Sequence, residues 1–141
     1  MTASEPKPLL RRAEDIDYEA VDAAEGMKKG VLVGPEHGAP NLAIRRFVLE
    51  AGAEVPKHTN DIEHEQYVLE GKYVVGISEA SETPRANGEA VSGDEEHTVS
   101  AGDSLLIPAG TVHWYRNESD QQGSFICAVP TGDDSIELVD E

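Results

Sequence analysis

The chain reads as an all-β protein, an antiparallel sandwich or barrel, and three observations carry that reading. Short apolar runs recur along it, each bounded by Gly, Pro, Asn or Asp. No segment in its middle shows a helix-length amphipathic stripe. Gln66–Leu69 and Lys72–Ile77 flank Glu70-Gly71 as a hairpin. At 141 residues the chain is long enough to close one core without staples.

Met1–Pro8 holds two prolines among small polar groups and reads as a loose arm. Glu14–Lys29 has helix-forming Ala20, Ala23 and Ala24 among acids, but its apolar positions form no stripe and Gly26 and Gly30 close it. A short strand and a loop fit it better. Val31–Val33 is a brief run ended by Gly34-Pro35, and Asn41–Glu50 is a strand running into Ala51-Gly52. After the hairpin come His97–Ser100, Ser104–Ile107, Val112–Arg116 and Gly123–Val129. Ser78–Glu96, with Pro84, Asn87, Gly88 and Gly93, reads as a long surface loop. The tail past Pro130 is acidic, with Ile136, Leu138 and Val139 able to dock as an edge strand. The division that follows is an arm at 1–13, one barrel domain at 14–130 and a tail at 131–141.

A net charge of −17, from 28 acids against 11 bases, repels phosphate backbones and anionic membranes. Nucleic-acid and polybasic-lipid roles are thereby disfavoured. The scatter of the acids suits a solvated coat of a salt-loving protein, whereas a specific cation-binding face would concentrate them on one element. One cysteine, Cys127, permits no internal disulfide and is compatible with a reducing cytoplasm. No apolar run is long enough for a signal peptide or a bilayer span, so a cytoplasmic protein is expected.

Three of the five histidines, His58, His64 and His113, are placed where separate strands can converge. Side chains alternate faces along a strand, so His58 and Asn60 project together, and His64 shares a face with Gln66 and Val68. His113 follows the rigid turn of Pro108 and Gly110. Imidazole is the commonest ligand for mid-row divalent metals, and a small barrel has room for side chains plus one small ligand.

Two ordered motifs then carry a resemblance. The second runs Gly102, Pro108, Gly110, His113, Asn117 and matches every defined position of the cupin pattern G-x5-P-x-G-x2-H-x3-N. The first runs Gly52, His58, Gly71 in the cupin pattern G-x5-H-x-H-x(3,4)-E-x6-G, with Asn60 in the second histidine slot and His64 in the glutamate slot. Gly38-Ala39-Pro40-Asn41 resembles the lead-in of small single-domain cupins. The resemblance implies a cupin-type, jelly-roll-like antiparallel β-barrel of two sheets. Histidine in the glutamate slot is similar to a subgroup that holds manganese or another divalent metal with four histidines. By position it implies His58, His64 and His113 as ligands of one divalent transition metal per chain (Mn, Fe, Ni, Cu or Zn). Asn60 falls in the fourth slot, where it binds the metal, holds a water, or does neither. Three neutral imidazoles leave the full metal charge to favour hydroxide or an anionic substrate.

Around this set, Gln66 shares the inward face and either bonds a ligand or fills a polar corner. Arg45, on the parity of Ala43, Phe47 and Leu49, either grips a carboxylate or pairs with an acid of this acidic chain. Tyr115 points cavity-ward, and Trp114 points away, into the other sheet as core or at an interface. Cys127 is inert packing or an oxidant sensor. His37 and His97 fall on the surface, and Asn117 caps a turn. The resemblance implies a metal-dependent enzyme on a small oxygenated molecule, through dioxygenase-like oxidation or isomerase or lyase chemistry. The alternative is a non-catalytic ligand-binding, sensor or storage cupin. Small cupins often pair, so a homodimer is expected.

Overall fold

The computed structural model describes residues 5–78, 94–131 and 136–138. Ten strands follow one another: β1 (Tyr18–Ala20), β2 (Glu25–Val33), β3 (Leu42–Asn60), β4 (His64–Glu70), β5 (Lys72–Ser78), β6 (Asp94–Ser100), β7 (Ser104–Ile107), β8 (His113–Arg116), β9 (Gly123–Pro130) and β10 (Ile136–Leu138). Only two 3-10 turns, Ala13–Asp15 and Pro35–His37, interrupt them among the described residues. The strands form one curled antiparallel sheet in the order β6-β5-β8-β3-β9-β4-β7, with β2 and β10 also paired to β3 and β1 to β2. The all-β antiparallel barrel expected from the sequence is the fold.

The curl depends on β3. Its first part lies between β2 and β9, with Phe47 opposite both Lys29 and Phe125. Its last part lies between β8 and β10, with His58 opposite His113 and Leu138. Ala51-Gly52 therefore bends the strand where the sequence suggested an end. Gly52 sits at φ +81°, a conformation that L side chains rarely adopt, and its N–H donates to the Asn117 carbonyl at 2.9 Å. Asn117 holds this corner as the expected cap. Its side-chain amide donates to the carbonyls of Leu49 (3.0 Å), Glu50 (3.2 Å) and Gln121 (2.8 Å), while its Oδ1 accepts from the Ser119 N–H.

Strand pairing also lengthens β2 beyond the Val31–Val33 run, because β3 offers a ladder back to Glu25. The 14–29 stretch is strand and loop, not helix. Of the 78–96 stretch, residues 79–93 lie outside the described residues, and so does Val139 of the tail.

Alternation along the strands separates inside from outside. His64, Gln66 and Val68 of β4 are buried while Glu65, Tyr67 and Leu69 are exposed. Phe47, Tyr73, Tyr115 and Phe125 stack through the interior, with Phe47–Phe125 and Tyr115–Phe125 centroids 5.2 and 5.3 Å apart. The placement of Trp114 in the core is corrected. With His113 and Tyr115 turned inward, Trp114 must face out, and it is half-buried over Gly76, its indole N–H donating to Glu96 at 2.7 Å. The Lys57 ammonium lies 4.8 Å from its ring centre.

Candidate functional site

The bend in β3 and the start of β8 bring the motif residues to one end of the interior. His58, Asn60, His64 and His113 are all buried. His58 and His113 face each other across the β3–β8 ladder, their ring centroids 4.1 Å apart. His64 enters from β4, its ring 6.4 Å from that of His113. The Pro108–Gly110 turn fixes this arrangement, since the Gly110 N–H donates to the Asn60 carbonyl at 2.9 Å.

The hydrogen bonds decide which ring nitrogen carries the proton. His58 Nδ1 lies 2.8 Å from the carbonyl of Pro56, and His113 Nδ1 lies 2.9 Å from that of Thr111. A carbonyl can only accept, so both Nδ1 atoms are protonated and both Nε2 atoms carry the lone pair in the neutral ring. Each bond reaches two residues back along its own chain, which orients the ring as well. His64 Nε2 lies 3.4 Å from the Arg45 guanidinium, which can only donate, so there too Nε2 is the acceptor.

This donor set suits a mid-row divalent ion, which takes neutral imidazole nitrogen and needs its partner N–H held by a carbonyl or carboxylate. The His58–His113 pair has that character. The third member stands apart: among the described residues, no three His, Cys, Asp or Glu side chains are grouped to hold a metal ion. His64 faces Arg45 instead.

A cavity of about 700 Å³ opens from these histidines. Arg45, Cys127 and Gln66 stand in register on β3, β9 and β4, one inward row across three strands. Arg45 lies 3.9 Å from the Cys127 sulfur and 5.4 Å from the Phe47 ring centre. Gln66 reaches across the interior to donate from Nε2 to the Tyr115 hydroxyl at 2.7 Å. Burial pushes the Tyr115 phenol well above its ordinary pKa, against a smaller opposing effect of the Gln66 bond, so the hydroxyl stays protonated. Gln66 Oε1 is buried with no hydrogen-bond partner among the described residues.

The structure thus brings all seven predicted residues to one cavity: His58, Asn60, His64, His113, Arg45, Gln66 and Tyr115. Three contributions were not foreseen. Phe47 and Phe125 form an aromatic wall, legible only as inward parity. His37, expected on the surface, is half-buried at the cavity, because its 3-10 turn folds back and its Nδ1 accepts from the Gly34 N–H at 3.0 Å. Arg11 also lines the cavity and donates to the carbonyls of Val31 and Leu32 at 2.9 and 2.8 Å. No short-range pattern announces that contact.

Solved structures share this architecture. The polyketide cyclase RemF of Streptomyces resistomycificus superposes with a TM-score of 0.75 at 21% identity, over 94% of this chain and 87% of that one. A cupin-2 domain protein of Rhodospirillum rubrum gives 0.72 at 19% identity, over 98% and 84%. An RmlC-like cupin of Shewanella frigidimarina gives 0.65 at 19%, over 92% and 96%. At such identities the likeness is one of fold. The sequence has no significant match among curated proteins. Residues 45–129, which hold both histidine motifs and the strands that carry them, match the family model described as the cupin domain. This chain belongs to the cupin family.

Proposed function

We propose that the chain is a metal-dependent enzyme acting on a small oxygenated molecule, by oxidation or by an isomerase or lyase step. His58, His64 and His113 would hold one divalent ion (Mn, Fe, Ni, Cu or Zn), with Asn60 beside the fourth position. This is the arrangement of the four-histidine manganese-type cupins with one imidazole replaced. The observation that carries the reading is the paired orientation of His58 and His113, each with Nδ1–H on its own backbone and Nε2 left as the lone-pair nitrogen. A bound divalent ion supplies Lewis acidity to a substrate oxygen. The chain's own groups do the rest: Arg45 pairs with a substrate anion, Gln66 and Tyr115 orient oxygen atoms, and the aromatic wall excludes water.

The test is elemental analysis of protein purified without chelators, followed by oxygen-consumption and product screens against flavonols, diketones and thiols. The reading expects about one ion per chain, lost on His58→Ala or His113→Ala. Protein that takes up no ion from an equimolar series of these metals would overturn it.

One observation favours a second reading, a non-catalytic ligand-binding cupin: a guanidinium stands where His64 would meet a metal. Stoichiometric metal without turnover of any candidate would support that alternative. The homodimer belongs to the same proposal. Tyr67 of β4, Leu106 of its neighbour β7 and Ile44 of β3 are exposed apolar groups, and sedimentation at several concentrations reads the state. So do the cytoplasmic, salt-loving setting and the division into arm, barrel and tail. Among the described residues no helix is long and apolar enough to cross a membrane.

A further inference from the structure

Two side chains on strands that are not neighbours define one polar corner of the cavity. Gln66 of β4 and Tyr115 of β8 are each 3% exposed, and both line the cavity. Inward parity puts them there, since Gln66 alternates with buried His64 and Val68, and Tyr115 with buried His113. Strands β3 and β9 lie between β8 and β4 in the sheet, so the 2.7 Å bond from Gln66 Nε2 to the Tyr115 hydroxyl crosses the interior.

That bond fixes what each group has left to offer. An amide nitrogen only donates and an amide oxygen only accepts. With Nε2 held by Tyr115, Gln66 Oε1 is a fixed acceptor, and it has no partner among the described residues. The Tyr115 oxygen accepts from Nε2, which leaves its own hydrogen to donate elsewhere. Burial raises the phenol far above its ordinary pKa and keeps that hydrogen in place.

Buried polar groups in native proteins are almost always paired. An open acceptor beside a donor, both facing a cavity, calls for a group that gives one hydrogen and takes one. A hydroxyl does both with a single oxygen. A carbonyl or ether oxygen takes a hydrogen but has none to give, so it leaves Gln66 Oε1 unpaired. Sites built around a ligand hydroxyl discriminate strongly against the analogue that lacks it, for this reason.

We infer that the cavity recognises a hydroxyl of its ligand at the Gln66–Tyr115 pair, with Gln66 Oε1 accepting the hydroxyl hydrogen and Tyr115 donating to the hydroxyl oxygen. The ligand class is then an alcohol or enol at that position, not a ketone or ether. This rests on the reading of the cavity as the ligand site and adds the substrate class. It requires neither a metal nor a charge on the ligand.

The experiment titrates chelator-treated, metal-free protein with cyclohexanol, cyclohexanone and methoxycyclohexane, followed by protein NMR shifts. The three share one ring and differ in the oxygen group. Cyclohexanol binds about tenfold tighter than the other two, the value of one hydrogen bond to a buried acceptor, and it moves the Gln66 side-chain amide resonances. Gln66→Leu brings cyclohexanol to the level of the ketone and ether and leaves those two unchanged. If Gln66→Leu does not fold, Gln66→Met replaces it.

The inference is overturned if cyclohexanol binds no tighter than the ketone or ether, or if its preference survives without Gln66. Equal binding of all three with shifts at cavity residues sinks the inference and keeps the cavity as the ligand site. Shifts elsewhere, or none, sink both. The metal reading is scored separately by metal uptake of the same protein.

Discussion

The Gln66–Tyr115 pair makes a quantitative prediction that needs no substrate. Tyr115→Phe removes the 2.7 Å bond and leaves the Gln66 amide buried with neither heteroatom partnered by the protein. One hydrogen bond is worth about 1 kcal/mol net, and a newly stranded buried donor costs about 1–3 kcal/mol, so the variant should lose about 2–4 kcal/mol. Gln66→Leu loses the same bond and strands the Tyr115 hydroxyl, but it also removes an oxygen that was already unsatisfied. Those two desolvation costs offset, and the expected loss is about 1 kcal/mol. Replacing both partners leaves an apolar contact, so the double variant should fall about 0–1 kcal/mol below wild type. Summed singles of about 3–5 kcal/mol against a double near 1 imply a coupling of roughly 2–4 kcal/mol. Equilibrium urea unfolding of metal-free protein measures all four corners of the cycle. A Tyr115→Phe variant within about 0.5 kcal/mol of wild type, or a cycle that adds, would refute the assignment of these two groups as a preorganised buried pair.

Other consequences follow from single contacts. Gly76→Ala puts a methyl into the Trp114 ring and should cost about 1–3 kcal/mol, with thermal unfolding of Gly76→Ala/Trp114→Leu recovering part of the loss. Asn117→Ala removes the amide bonds to the Leu49 and Glu50 carbonyls at the bend of β3, and denaturant midpoints should show a loss of about 1–3 kcal/mol. The Arg116 and Trp114 hydrogen bonds hold the Glu96 carboxyl down at about 2 from an ordinary 4.5. A depressed folded-state pKa stabilises above the ordinary value, and that contribution is lost as pH falls through the folded one. The melting-temperature gap between wild type and Glu96→Gln should therefore close as pH drops from about 4.5 towards about 2. A gap that stays constant across that window would refute the assignment.

The fold and the motif positions were legible because both rest on local rules. Alternation put His64, Gln66 and Val68 on one face and Tyr115 beside His113, and the structure keeps those faces. Parity along β3 likewise placed Arg45 inward with Ala43, Phe47 and Leu49. What was not legible depends on distant pairing. β3 continues through Ala51-Gly52 because Asn117, far along the chain, ties the bend, and nothing near Gly52 announces that bond. His37 looked like a loop residue, and only the folding back of the Pro35–His37 turn brings it to the cavity. Trp114 was misplaced for a different reason: parity correctly turned it away from Tyr115, but that face is the outer one, where the ring lies half-buried beside Lys57 and Glu96.

The buried end of the cavity differs from the acidic coat of the chain, and that contrast bears on what the site can accept. The chain as a whole is strongly acidic, at −17, and Asp17, Glu19, Asp22 and Glu36 line the cavity, yet the buried groups beside the histidines are two amides, a phenol held protonated and one guanidinium. A metal held by imidazoles alone keeps its full charge. Arg45 adds to that charge at short range. Two positive centres in one buried space repel unless an anion joins them, because the interior screens charges far less than water does. On the proposed function, then, an anionic substrate would meet both Arg45 and the ion and would supply the negative charge that a ligand set of imidazoles lacks. Metal and anionic ligand would bind with positive cooperativity in that arrangement, each raising the affinity of the other by the same factor.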